Sequence, residues 1–337
     1  MKQLFTLAAL FLAFAAVFAE DKKKPSEVYI DPAKAGPDFA IQGEYVAEHN
    51  GTKIGVQVIA QGGGQFAIKG YHGGLPGDGW TGPGDDGKGV HEFKGKLEDG
   101  KVNFGDDKIK ATIADGKITY KVGDVEGVAM KVMRKSKTEG EKPPEGAIVL
   151  FDGKNIDGWT KTDGKSPAGW TVRDDGVMQV KGGDILSKHK FAGPFTLHVE
   201  FMLPFMPHAR GQGRANSGVY LQNRYELQVL DSFGLKGLNN EAGGFYQAHD
   251  PKVNMCYPPL QWQTYDIDFT PAKFENGKKV ANAHATVQHN GVLVQDNVEL
   301  KGPTPGGVKE DESAQGIRLQ DHGNPLLYRN IWAVEKK

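Results

Sequence analysis

A single cysteine, Cys256, among 337 residues leaves the chain without any means of forming an internal disulfide. It has no histidine neighbour in sequence and reads as a small buried residue rather than a nucleophile. Charge of either sign is also lacking in excess. Forty-one Lys and Arg against 42 Asp and Glu give a formal net charge of −1, which predicts no attraction to nucleic acid or to an anionic membrane surface. Beyond Leu4 to Phe18, no apolar run is long enough to cross a bilayer, and no Cys near that run suggests a lipid anchor. The motifs of several common chemistries are missing too. There is no GxSxG nucleophile elbow, no HExxH zinc pair and no GxxxxGK phosphate cradle.

What the sequence has in abundance is glycine, 46 residues, roughly twice the usual share of about 7%. Many of these follow Asn or Asp, the strongest short-range signal for a hairpin. At the amino terminus Lys2, the apolar run and the small-residue pattern Val17-Phe18-Ala19 read as a signal peptide cut after Ala19. A secreted or periplasmic protein is therefore expected. Residues 20–35 are charged, carry two prolines and read as a mobile leader.

Residues 36–134 read as a small all-β domain. Asn50-Gly51, Asp99-Gly100 and Asp115-Gly116 separate short consecutive strands, so a small antiparallel β meander or barrel is expected. The long loop Gly73–Gly87 offers Asp78, Asp85 and Asp86 as oxygen ligands for calcium, but their spacing matches no calcium loop and a solvated, turn-rich loop is the favoured reading. No catalytic constellation stands out in this domain. Residues 135–146 are charged, apolar-poor and contain Pro143-Pro144, the composition of an exposed linker.

Residues 147–337 again read as all-β, with alternating strands and turn signals at Asp175-Gly176 and Asn290-Gly291 that fit two antiparallel sheets packed as a sandwich. In the stretch Asn216–Ser232, two strands meet near Asn223-Arg224. Tyr225, Leu227 and Val229 fall on one face, Glu226 and Gln228 on the other, and Gln222 is expected close to Glu226. His198 and Glu200 alternate with Leu197, Val199 and Phe201 and so face away from the core. Gln320 and His322 alternate with Leu319 in the same manner. Tyr246, Tyr257 and Trp262 are candidates for stacking on a sugar ring, although for each aromatic taken singly core packing is the favoured reading.

The segments FDGKNIDGW, NSGVYLQNRYELQVLDS, WQTYDIDF and GIRLQDHGNPLLYRNIW resemble those of the bacterial 3-keto-disaccharide hydrolase domain, once called DUF1080, from about Gly146 to the carboxyl terminus. The resemblance implies a concanavalin A-like jelly roll with a carbohydrate cleft on its concave sheet. On that fold Glu200, Gln222, Glu226, Gln228, Gln320 and His322 are expected to line one concavity, joined by Asn216, Tyr246 and Trp262. Related glucanases carry ExDxxE along one strand. Here Gln228 stands at the middle position and Asp231 at the last, and the odd spacing turns Asp231 away from Glu226.

The family name implies a different chemistry, in which a base removes the C2 proton beside a C3 ketone and the C1 substituent is expelled before water adds. Glu226 or His322 is the candidate base, and Arg329, Asn216 or Gln222 the candidate donor to the developing oxyanion. The chemistry requires no cofactor, although a divalent metal such as calcium fits a jelly roll. The alternative is a lectin-like protein that binds carbohydrate without turning it over, because one fold serves both.

Overall fold

The computed structural model describes residues 27–82 and 89–336, so the expected signal peptide, the first residues of the leader, and Asp85 and Asp86 lie outside the described residues. Of the calcium candidates, Asp78 accepts an ion pair from Lys53 at 3.2 Å. Among the described residues no helix is long and apolar enough to cross a membrane.

Eight antiparallel strands between Gly43 and Val132 form a closed barrel in which sequence neighbours pair and Gly43–His49 closes on Val125–Val132. The turns at Asn50-Gly51, Asp99-Gly100 and Asp115-Gly116 have positive φ at both central residues. That is the mirror-image turn whose twist matches paired strands. Inward positions alternate along each strand, and Tyr45, Val58, Phe66, Ile68, Val102, Ile113 and Ile118 fill the core. The short helix Gly36–Ile41 covers one end, where the Tyr45 hydroxyl donates to Ile41 O and Lys131 Nζ donates to Ala40 O. Phe205 from the second half of the chain packs edge-on against Phe39 and joins this core.

The C-terminal part is a sandwich. An eight-stranded sheet is centred on Phe195–Met202, flanked by Trp262–Thr270 and Leu327–Glu335. A five-stranded sheet runs Trp159–Lys161, Ile185–Ser187, Arg318–Leu319, Ser217–Leu221, Tyr225–Val229. Leu197, Val199 and Phe201 from the first sheet meet Val219, Leu221, Tyr225, Leu227, Val229 and Leu319 from the second in one buried core.

Of the expected linker, residues 141–146 with Pro143-Pro144 are exposed, whereas residues 136–140 form a strap on the outer face of the eight-stranded sheet. Ser136 is buried and shares a hydrogen bond with Thr264 (2.6 Å), Thr138 donates to Asp266 (2.6 Å), and the Gly140 amide donates to Glu200 (2.6 Å). Among the strap's charged side chains Glu139 pairs with Arg329 on the sheet, a contact that composition alone does not display. The described part of the leader is tied down as well, for Tyr29 pairs with Phe205 through two backbone hydrogen bonds.

Candidate functional site

The hairpin of Ser217–Leu221 and Tyr225–Val229 builds the site. Its register sets Gly218 opposite Gln228 and Tyr220 opposite Glu226. The three-residue connection begins with Gln222 and Asn223 at φ 47° and 54°. All ten strand residues are buried although one face points away from the core, because loops roof that face. Gln212, Tyr246, Pro305, Gly306 and His322 reach in from these loops, and with Asn216, Tyr220, Glu226, Gln228 and Gln320 they line a cavity of about 180 Å³. Glycine at position 218 leaves room for the Glu226 carboxyl, since a Cβ there would sit 2.4 Å from Glu226 Oε1 and displace it.

The carboxyl of Glu226 is the only acidic group among the described residues lining this cavity. Burial pushes its pKa up to about 7, against the opposing hydrogen bond from Tyr220 and the positive charge of Arg318. The Tyr220 hydroxyl donates to Glu226 Oε2 at 2.8 Å. Arg318 stacks on the Tyr220 ring, its guanidinium carbon 3.6 Å from the centroid, and donates to Gly306 O. The Glu226 amide is held by the Thr304 hydroxyl at 2.8 Å. Around the carboxyl stands a ring of amides. Gln228 Nε2 and Asn216 Nδ2 both donate to Gln212 Oε1, at 3.1 and 3.2 Å, and Gln320 Nε2 lies 3.4 Å from the Tyr220 hydroxyl. Asn216 Oδ1, Gln228 Oε1 and Gln320 Oε1 are buried without a hydrogen-bond partner. Such groups are costly to leave empty-handed, and three in one small cavity form a set of acceptors for ligand hydroxyls.

Of the residues singled out in the sequence, Glu226, Gln228, Asn216, Tyr246, Gln320 and His322 meet in this cavity. Four do not. Glu200 lies on the other sheet, fully buried beneath the strap, where it accepts from the Gly140 amide, Arg329 Nε (2.7 Å) and Asn330 Nδ2 (2.8 Å). Arg329 pairs with Glu200 and Glu139, and its guanidinium stacks 3.9 Å above the ring of Trp262. Those two side chains therefore serve the strap rather than the cavity. Gln222 is turned away from Glu226 by its place in the turn, donating to Phe191 O and accepting from Arg224. Tyr220, Gln212 and Pro305-Gly306 complete the lining. Tyr220 carried a signal in its alternation with Gly218 opposite the Glu226 strand, and Gln212 in its place in the Gly-rich, polar loop 208–214, whereas Pro305-Gly306 carried none.

His198, whose ring lies between Asp266 Oδ1 (2.6 Å) and Glu200 Oε1 (3.4 Å), anchors the same polar cluster under the strap. Burial opposes its charge, but the two carboxylates outweigh burial and raise its pKa to about 9. Glu200 is held down to about 2, against burial, by His198, Asn330, the Gly140 amide and Arg329. Glu141, His198 and Asp266 approach one another at metal-ligating distances. Both His198 ring nitrogens already face carboxylates, so the cluster is satisfied by protein partners alone.

Asp231, last in the glucanase-like spacing, is also accounted for. It accepts from Arg214 Nε at 2.6 Å and from the Phe233 amide, remote in role from Glu226.

Residues 146–334 match the family model of the 3-keto-alpha-glucoside-1,2-lyase-like domain. The chain belongs to this family. Its fold matches the crystal structure of a “putative glycosyl hydrolase” of Parabacteroides distasonis ATCC 8503 with 36% identity and a TM-score of 0.53, over 57% of this chain and 85% of that one. A second protein of the same description from that organism aligns at 20% identity and a TM-score of 0.42, over 61% of this chain and 99% of that one. No curated protein matches the chain. The C-terminal part of this family member is thus a glycosyl-hydrolase-like jelly roll, and the barrel lies outside the matched residues.

Proposed function

We propose that the protein cleaves glycosidic bonds of 3-keto-glycosides by elimination and hydration, with Glu226 as the base. The observation that carries this reading is a lone buried carboxyl, poised near neutrality, in a cavity otherwise lined by amides and hydroxyls. A retaining or inverting glycosidase acting on an unmodified sugar needs two carboxyl groups across the scissile bond. Elimination needs one base. A ketone at C3 acidifies the C2 hydrogen, and Glu226 takes that proton to leave an enolate whose charge rests on the C3 oxygen. The proton neutralises a carboxylate that burial disfavours, so desolvation assists the transfer.

Collapse of the enolate forms the C1–C2 double bond and expels the C1 oxygen as an alkoxide, which takes a proton from a rim acid, His322 being the side chain there. Water then adds across C1 and C2, its hydroxyl to C1 and its proton to C2. The net reaction is hydrolysis. Gln320 Nε2, held only by its 3.4 Å contact with Tyr220, is the donor that turns toward the C3 oxyanion, and the free amide oxygens of Asn216 and Gln228 accept from sugar hydroxyls. Tyr246 supplies an aromatic edge to the cavity. The substrate meets the protein after export, as the amino-terminal sequence implies, and a secreted form beginning at Glu20 by mass spectrometry checks that part of the reading.

The deciding experiment uses a 3-keto-disaccharide deuterated at C2. Slowed turnover, or loss of deuterium to solvent, is expected, with unoxidised disaccharides left intact. Fast cleavage of unoxidised disaccharides without exchange at C2 would overturn the elimination route. Binding of both sugars without turnover would favour a lectin.

A further inference from the structure

We infer that the N-terminal barrel is a binding site for a slender apolar molecule, a single alkyl or acyl chain that enters through its open end. One end is shut by the helix Gly36–Ile41, Lys131 and Phe205. The other end holds a cavity of about 310 Å³ lined by inward positions of successive strands. Ile54 and Val56, Ile68 and Gly70, Phe93, Phe104, Ala111, Ile118 and Ala129 give it an apolar wall. Its volume follows from the sequence. Glycine or alanine occupies inward positions 70, 111 and 129, where larger side chains would fill the barrel.

The geometry limits the occupant. The sheet closes on itself, so this wall cannot be covered by a helix or another sheet, and only a molecule narrow enough to pass the mouth can reach it. No lining residue has a buried polar atom without a partner, which disfavours a sugar or an ion. The volume is about twice that of an engineered apolar cavity that stays dry and takes up benzene, and it lies at the small end of ligand pockets. An extended chain of roughly eight to ten carbons suits that size. His72 and His91, exposed at inward positions of the open end, leave the polar head of such a chain in contact with water and imidazole. The site is separate from the Glu226 cavity and does not depend on the chemistry proposed there.

The test is a fluorescence titration of the full chain with N-decyl dansylamide, whose alkyl tail enters while its fluorescent head stays at the mouth, followed by displacement with decanoic acid and decanol. Saturable 1:1 binding displaced by both is expected. Ala129→Phe, which fills the cavity, should weaken decanoic acid at least tenfold while circular dichroism and Tm show a folded barrel. Should that variant fail to fold, His91→Trp narrows only the mouth and should weaken binding or slow entry by a similar factor. Thr112→Ala, on the outer surface, should change nothing. Lack of saturable binding by the wild type, or undiminished affinity in both the filled and the narrowed variant, overturns the inference. Displacement by naphthalene but by neither ten-carbon chain overturns the assigned ligand class.

Discussion

The Tyr220 hydroxyl donates to Glu226 Oε2 across a single cross-strand pair, and the missing side chain of Gly218 leaves the space into which that carboxyl folds. A carboxylate is thereby held in a dry place with one donor beside it. Its proton affinity is set by the balance of burial against that donor.

Replacing Glu226 with Gln keeps the shape and removes the base. Turnover of a 3-keto-disaccharide should fall on the order of 100-fold or more, with substrate binding largely kept, since general-base catalysis typically contributes about 10²–10⁴. Single-turnover kinetics with a binding titration check this. An unchanged rate removes Glu226 from the role and moves the test to His322.

The pH profile follows from the raised pKa of Glu226. The base works as the carboxylate, so kcat/KM should climb as pH rises through about 7. Tyr220 lowers that pKa by hydrogen bonding to the anion, and Tyr220→Phe should therefore shift the rising limb to higher pH. A limb that stays in place after this substitution would assign it to another group.

Under the strap, Glu200→Ala leaves His198 and Arg329 facing a buried void and should cost about 3–5 kcal/mol by denaturant unfolding. The pH dependence of stability has two parts. His198 has a folded pKa raised to about 9, so its stabilisation is complete below about 6.5 and is lost as pH rises through 9. Glu200 has a folded pKa lowered to about 2, so its stabilisation is present above about 4.5 and is lost as pH falls through 2. His198→Gln should flatten the alkaline part and also shrink the acid part, since His198 is one of the groups that hold Glu200 down, as thermal melts across that range will show.

The C-terminal sandwich has its own core and is expected to fold without the barrel. The strap nonetheless contributes Ser136, Thr138, Glu139 and the Gly140 amide to the eight-stranded sheet. A chain beginning at residue 135 should therefore melt several degrees above one beginning at residue 142, since each lost kcal/mol moves Tm by about 2–4 °C in a domain of this size. Equal Tm values would mean that the strap rests on the sheet without stabilising it.

Period-two alternation and the Asn-Gly and Asp-Gly turns were enough, by themselves, to determine the all-β class, the hairpins of the barrel and the face of each strand. They also placed Glu226 and Gln228 side by side, because neighbours two apart on a strand share a face whatever surrounds them. Alternation likewise showed that Glu200 leaves the core, but a sandwich has two outer faces. Which of them a residue joins depends on sheet order, and only the pairing of Phe195–Met202 with Leu327–Glu335 sends Glu200 and Arg329 to the strap rather than the cavity. Gln222 escaped the pattern because positive φ in the turn ends the alternation at Leu221. Pro305-Gly306 and Gln212 reach Glu226 through loops, where no period relates sequence distance to position. The raised pKa of Glu226 was equally beyond the sequence, since it arises from the roof those loops build over the carboxyl.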